Sequence, residues 1–356
     1  MAMGHRAAGT LREEGATEGG SQGSLSAEEH RERQYATAAQ MANFVYVIVD
    51  TSSTPPVAAT VDAAWDTAGI IRFAEERLGA TVTVALYTHR HEDHVGGRSP
   101  SSGNLRAGAR DMAAAGATVY CMDADADSVE RSTEIEVTRL VDGGTVQLGA
   151  HRISAISTPG HTPGSCCYTV GTAGGAVESE VVFTGDTLFV GGFGRMSVEA
   201  GTGDVTAMFA SLARLAQLPE GTAVLAGHNF GAQRISTIGD ESRHNAAYRC
   251  GTVEQLAALA GMAPMEAGGP IKMNPVVGGP SPRSVLEGLD FSGCVLPEPI
   301  GAQCVCCQPL DAAVLRSGRF WCEAVGGARP ERGEGELRLE ALSCTSALRW
   351  SPLPRM

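Results

Sequence analysis

The sequence predicts an α/β fold in which two β-sheets pack face to face and carry helices on their outer faces. Three observations lead there. Short β-rich runs and helical stretches alternate between about residues 41 and 250. The strand-like runs come both in succession and interleaved with helices, which a simple doubly wound sheet would not give. Apolar residues make up 43% of the chain, enough to bury a sizeable core.

Residues 1–40 are rich in Gly, Ser, Glu and Ala and hold almost no large apolar side chains. Such a segment cannot offset its ordering entropy, so it is expected to be a disordered N-terminal extension. Met41 heads the first strand signal, NFVYVIVD, and is a candidate internal start. Strands are expected at 43–50, 57–61, 81–87, 117–121, 151–157, 165–170, 180–185 and 222–226. Helices are expected at 65–79, 104–115, 204–218 and 238–249. The helix at 204 is the best marked: Asp204 can cap it, and Val205, Met208, Phe209, Leu212 and Leu215 recur at helical spacing. Residues 41–250 therefore read as one α/β domain. Residues 251–290 read as a short C-terminal extension with one helix, Val253 to Leu259, before a Gly- and Pro-rich stretch. Residues 291–356 read as a poorly ordered Cys-containing tail. Its Cys304, Cys306 and Cys307 lack a zinc-ribbon spacing, and they are read as incidental thiols.

Composition removes several function classes. A net charge of −13 supplies no basic footprint for a nucleic-acid backbone or an anionic lipid surface. A small anionic substrate is still compatible, because a local cationic site can exist on an acidic protein. No apolar run approaches the roughly 18 residues of a bilayer span, and the N-terminus has no apolar signal core. The expectation is a cytoplasmic protein with neither a nucleic-acid nor a membrane partner.

The chemistry concentrates in Thr88-His89-Arg90-His91-Glu92-Asp93-His94-Val95-Gly96-Gly97, placed on a loop after the apolar strand TVTVALY. Three histidines and an aspartate within six residues form a metal-donor density that structure alone rarely demands. Imidazoles and carboxylates suit zinc, iron or manganese. On such a loop His89 and His91 could turn to one metal, and Asp93 and His94 to another. Three more candidates each follow a strand and a glycine: His161 in TPGHTPGS, Asp186 in VVFTGDTLF and His228 in AVLAGHNF. The glycines are expected to permit backbone turns that aim each side chain at a shared point.

With these motifs in this order, the sequence resembles the metallo-β-lactamase fold superfamily over about residues 41–250. The resemblance implies an αββα sandwich with two divalent ions at one edge, zinc first, with iron or manganese as alternatives. It implies His89, His91 and His161 on one ion, Asp93, His94 and His228 on the other, and Asp186 bridging both. Two ions would bring the pKa of a shared water toward neutrality and polarise a carbonyl, with Asp93 and Asp186 as catalytic carboxylates.

Within the superfamily, VFTGDTLFVGGFGRMSVEAGTGDVTAMFASL looks most like glyoxalase II, the hydroxyacylglutathione hydrolases. That implies hydrolysis of a glutathione-derived thioester of the S-D-lactoylglutathione type. Arg195 matches the residue that holds the glutathione glycine carboxylate, and Phe230 stands where the family has a substrate-facing Tyr. The family's aromatic after the basic residue is replaced by Met196 and Ser197, and its C-terminal helical domain is not recognisable here. The segment Gly231 to Glu241, followed by Arg243 and Asn245, resembles both short glyoxalase II-like hydrolases and persulfide dioxygenases of the same superfamily. The latter would use one iron on His89, His161 and Asp186. A metallohydrolase of another ester or amide is a further alternative.

Overall fold

In the computed structural model the described residues are 41–99, 103–172, 181–196, 203–231, 233–261, 320–322 and 337–343. The expectation of disorder over 1–40 lies outside them, as do 262–290 and most of the Cys-containing tail.

Among the described residues the first strands are β1 (Phe44–Asp50) and β2 (Val57–Val61), an antiparallel pair. Helix α1 (Thr67–Arg72) follows, capped by Asp66, and continues for one wider turn over Phe73–Arg77. Then come β3 (Thr81–Leu86), a single-turn helix α2 (Glu92–Val95), and a small hairpin of β4 (Gly97–Arg98) and β5 (Leu105–Arg106). Helix α3 (Ala109–Ala114), β6 (Thr118–Met122), helix α4 (Asp123–Thr133) and β7 (Thr138–Leu140) complete the first half. The second half holds β8 (Thr145–Leu148), β9 (His151–Ser157), β10 (Cys166–Thr172), β11 (Val181–Gly185) and a hairpin of β12 (Leu188–Phe189) and β13 (Gly192–Phe193). Helix α5 (Val205–Leu215), β14 (Ala223–Ala226), β15 (Ser236–Thr237), helix α6 (Ile238–His244), a 3₁₀ turn at Ala246–Arg249 and helix α7 (Val253–Leu259) follow. Two further strands are β16 (Phe320–Cys322) and β17 (Leu337–Ser343).

Two sheets result, ordered β16-β17-β1-β2-β3-β6-β7 and β15-β14-β11-β10-β9-β8. Strand alternation sorts the side chains into three apolar layers. Phe44, Tyr46 and Ile48 of β1 face the second sheet and pack with Tyr168, Phe183 and Leu225. Val45, Val47 and Val49 point the other way, toward Ile70, Met112 and Val129 of α1, α3 and α4. On the far side, Val182 and Val224 pack against Met208, Leu212 and Leu215 of α5, with Ile238 and Leu256. The αββα sandwich follows from this three-core arrangement. Among the described residues no helix is long and apolar enough to cross a membrane.

Several expectations are corrected. Part of the C-terminal tail is built into the first sheet: β17 runs antiparallel along β1 from Phe44↔Ser343 to Asp50↔Leu337. The edge of β1, a strand buried on both faces, thereby gains a ladder partner. The helix expected at 104–115 is confined to Ala109–Ala114, because the β4–β5 hairpin takes up its first turn. The helix expected over 238–249 breaks at Asn245, whose ψ of 128° is extended and whose side chain caps the next turn through the Ala247 amide. Helix α4 and strands β7 and β8 were not anticipated at all.

Candidate metal centre

The seven predicted donors arrive from strand ends at one edge of the sandwich. His89 and His91 lie beyond β3, while Asp93 and His94 ride on α2 rather than on a loop. His91 is the N-cap of α2 but makes no side-chain cap bond, so its ring is free to face inward. His161 sits between β9 and β10, Asp186 just past β11 and His228 just past β14. Two of the preceding glycines do supply unusual turns: Gly160 has φ +146° and Gly185 φ +47°. Gly227 serves differently. It has no positive φ, but a Cβ there would lie 2.7 Å from Asp186 Oδ1, so the glycine keeps the centre open.

The donors converge in two groups. In the first, His91 Nδ1 lies 3.1 Å from His89 Nε2 and 2.8 Å from His161 Nε2. In the second, His94 Nε2 lies 3.1 Å from His228 Nε2, and each is 3.3 Å from Asp93 Oδ2. Asp186 stands between them. Its Oδ1 is 3.3 Å from both His94 Nε2 and His228 Nε2, and its Oδ2 is 3.4 Å from His161 Nε2.

The outward ring nitrogens determine what the inward ones offer. His161 Nδ1 donates to the Arg195 carbonyl at 2.5 Å, and His228 Nδ1 to the Met41 carbonyl at 2.6 Å. His94 Nδ1 donates to Asp62 Oδ2 at 3.0 Å. The Thr88 hydroxyl donates to the same Asp62 oxygen at 2.8 Å, leaving its own oxygen to accept from His89 Nδ1 at 3.1 Å. Each of these four rings is thereby fixed by its outer nitrogen with Nε2 turned inward, the atom whose lone pair a metal ion would take. Lone pairs facing lone pairs and carboxylates at these distances repel unless a cation lies among them. Asp186 Oδ1 is buried with no hydrogen-bond donor, consistent with a cation as its partner. The donor set fits two borderline divalent ions.

Electrostatics divide the groups the same way. Burial, reinforced by the neighbouring histidines, pushes His89 well below the usual histidine value and His91 down to about 4. These rings are neutral, ready donors at pH 7. In the other group burial opposes the charged form, but Asp93, Asp186 and Asp62 outweigh it and raise His94 well above its ordinary value. Asp186 and Asp93 likewise overcome burial to raise His228 to about 9. A metal ion binding the acidic group therefore displaces protons.

The substrate candidates lie at the rim. Phe230 is exposed and stacks on the His228 ring, centroids 4.7 Å apart and planes 5° off parallel. Phe189, not singled out from the sequence, meets both edge-on and completes an aromatic wall. The Arg195 side chain is exposed, while its carbonyl holds His161. Met196, in place of the family aromatic, is buried in the helical layer beside the second sheet, and Ser197 lies outside the described residues. The Gly231–Asn245 segment acts from behind: buried Glu241 accepts from the Gly191 amide, and Asn245 donates to Glu241 and to the Gly192 carbonyl. Together they brace the β12–β13 hairpin that carries Phe189.

The sequence reading missed the supporting residues. Asp62 accepts from the Thr88 amide and hydroxyl and from His94. Asn43 donates to Asp93 Oδ2 at 3.0 Å. Asp125, on α4, accepts from backbone and side chains of two donor loops. The positive φ of Asp62, 54°, is the sort of local signal that marks such a residue, but it is invisible in the sequence.

A profile of the Metallo-beta-lactamase superfamily matches residues 128–228. A hydroxyacylglutathione hydrolase from Gloeobacter violaceus is 34% identical over 220 residues, which cover 61% of this chain and 76% of that protein. One of the same name from Brucella ovis is 34% identical over 189 residues, and there the match spans 53% of this chain and only 62% of the relative. A solved structure described as ETHE1 from Myxococcus xanthus is 25% identical with a TM-score of 0.51, covering 63% of this chain and 87% of that one. The chain belongs to the metallo-β-lactamase superfamily, as an enzyme of that class. Membership implies a divalent-metal centre, and the convergent histidine and aspartate groups are where such ions could be held.

Proposed function

We propose that the protein is a two-metal hydrolase of thioesters, acting on an S-2-hydroxyacylglutathione of the S-D-lactoylglutathione type to give a hydroxy acid and glutathione. The observation that carries this reading is the split of Asp186, which turns one oxygen to each donor group. The names of the relatives point to the same substrate class. His89, His91 and His161 would hold one ion, Asp93, His94 and His228 the other, and Asp186 both. Zinc, iron or manganese bound there would supply Lewis acidity and an activated water at neutral pH.

The chain's own groups do the rest. The carbonyls of Met41 and Arg195, with Asp62 and Thr88, hold the imidazoles in one tautomer. The Asn43 amide fixes the Asp93 carboxylate by one oxygen and leaves its other oxygen to orient a nucleophile. The Phe189–Phe230 wall offers an apolar surface beside the donors. Arg195 at the rim offers a forked pair of donors to a remote carboxylate such as that of the glutathione glycine. A thioester suits this equipment, because a thiolate leaves readily and no strong general acid is required.

Metal analysis and two assays test the reading. The expected result is two ions per chain and loss of thioester absorbance with S-D-lactoylglutathione, without oxygen uptake. One iron per chain, with oxygen consumed in the presence of glutathione persulfide and no thioester cleavage, overturns it in favour of a persulfide dioxygenase on His89, His161 and Asp186.

A further inference from the structure

We propose that Asp125 is a positioning residue for the three-histidine group alone, so that helix α4 sets the cation affinity of one half of the centre and not the other. This rests on the two-group reading of the site. Asp125 is buried at 1% exposure and comes from a helix that contributes no donor of its own. Its Oδ2 accepts from the Arg90 amide at 3.0 Å and from the Thr162 hydroxyl at 2.7 Å. Its Oδ1 accepts from the Gly164 amide at 3.0 Å and lies 3.6 Å from the Arg90 guanidinium. Arg90 is the residue between His89 and His91, and Thr162 directly follows His161. One carboxylate thus ties the backbone bearing two donors to the loop bearing the third.

The contact is tight enough to dictate sequence. A Cβ on Gly164 would lie 2.5 Å from Asp125 Cβ, Cγ and N, so only glycine lets the 161–165 loop close on the carboxylate. Thr162 and Ser165 lock the same loop by a hydroxyl pair at 2.8 Å, and the Thr162 amide donates to Ser165 Oγ at 3.0 Å. The second group draws its support from other elements: Asn43 for Asp93, Asp62 for His94 and the Met41 carbonyl for His228. Asp125 touches none of the three rings but holds the backbone that carries them, and losing an outer support of a metal site costs roughly 10- to 100-fold in affinity. The Asp125→Asn amide would turn a donor toward one of three donors it now satisfies, releasing one loop.

The test is a double-mutant comparison on full-length, metal-stripped protein, titrated with Co(II) against a competing chelator. His228→Ala leaves the three-histidine group as the better site, and His161→Ala leaves the acidic one. Adding Asp125→Asn is expected to weaken the remaining equivalent about 10- to 100-fold in the His228→Ala background and to leave it unchanged in the His161→Ala background. Gly164→Ala, which keeps the carboxylate but forces it off the loop, should repeat the pattern if Asp125→Asn folds poorly. Equal weakening in both backgrounds, or none in either, overturns the assignment. A single equivalent in unmodified protein would instead sink the two-metal reading. Asp125 would still be upheld if Asp125→Asn weakened that equivalent while Asp50→Asn, which removes an equally buried carboxylate outside the donor groups, did not. It would be overturned if the affinity held or if both variants weakened it alike.

Discussion

Two buried aspartate–histidine pairs, Asp50–His151 and Asp62–His94, bond at the same 3.0 Å and do different things. Strand β1 separates them, with Asn43 at the donor end and Asp50 at the other, on the order of 20 Å apart for an extended run of this length. Asp50 takes the Ser52 amide at 2.6 Å, the Ala150 amide at 2.5 Å and the His151 ring, which pins β1 of one sheet to the β8–β9 turn of the other. His151 belongs to no convergent donor group among the described residues. Asp62 is just as well supplied, but the ring it holds presents its far nitrogen to His228, Asp93 and Asp186. The pair alone is therefore no sign of function. What matters is whether the second ring nitrogen meets a donor or a crowd of acceptors.

The largest expected effects break the donor end alone. His161→Ala and Asp186→Ala should each abolish activity and lower metal content, since each removes a donor that water cannot replace equally well, while the fold persists by circular dichroism. Normal metal content in Asp186→Ala would contradict its placement between the two groups.

Asp50→Asn should do the reverse. Breaking a buried, charge-assisted cluster costs about 2–4 kcal/mol, read as a fall in Tm with unchanged metal uptake. The pH dependence carries a sign. Burial pushes the Asp50 carboxyl up, but the hydrogen bonds from Ser52, His151 and Ala150 outweigh it and hold it below its ordinary value. A depressed folded value means that its stabilisation is complete above the ordinary carboxylate range and is lost as pH falls through the lowered value. Stability of the Asp50→Asn variant should thus fall less steeply on acidification than that of the unmodified protein. A parallel acid limb would show that Asp50 contributes no such linkage.

Asp62→Asn is expected to weaken metal binding by roughly 10- to 100-fold, measured by competition with a chelator, with Asp50→Asn as the control that leaves affinity alone. If both variants lose affinity equally, the contrast between the two ends disappears.

The candidate donors that converge here were far more legible in the sequence than the residues that support them, for a physical reason. His89, His91, Asp93 and His94 are dense along the chain, and His161, Asp186 and His228 follow strands and glycines, so each carries a local signature. Asp62, Asn43 and Asp125 act across 26, 50 and 35 residues, where spacing says nothing. Helix α4, DADADSVERST, escaped notice because its buried face is made of Asp125, Ala126, Val129 and Thr133, too small and polar for an apolar stripe. The β1, β2 and β11 runs were legible because they are buried nearly end to end. Strand β17 went unread although Leu337, Leu339 and Ala341 alternate with Arg338 and Glu340, because a single short alternation about 290 residues from its partner β1 does not say which edge it joins.

The smallest expected effect separates backbone from side chain at a single residue. The Arg195 carbonyl orients His161, whereas its guanidinium is exposed at the rim. Arg195→Ala keeps the carbonyl, so metal content and kcat should stay near normal. The KM for S-D-lactoylglutathione should rise, by about tenfold for one charge-assisted contact. Because a remote carboxylate is bound equally in ground and transition states, a fall in kcat at constant KM would mean that the guanidinium acts on the reacting atoms instead. An acyl thioester lacking the glycine carboxylate should show no difference between the two proteins. If it did, Arg195 would be shaping the loop rather than holding substrate.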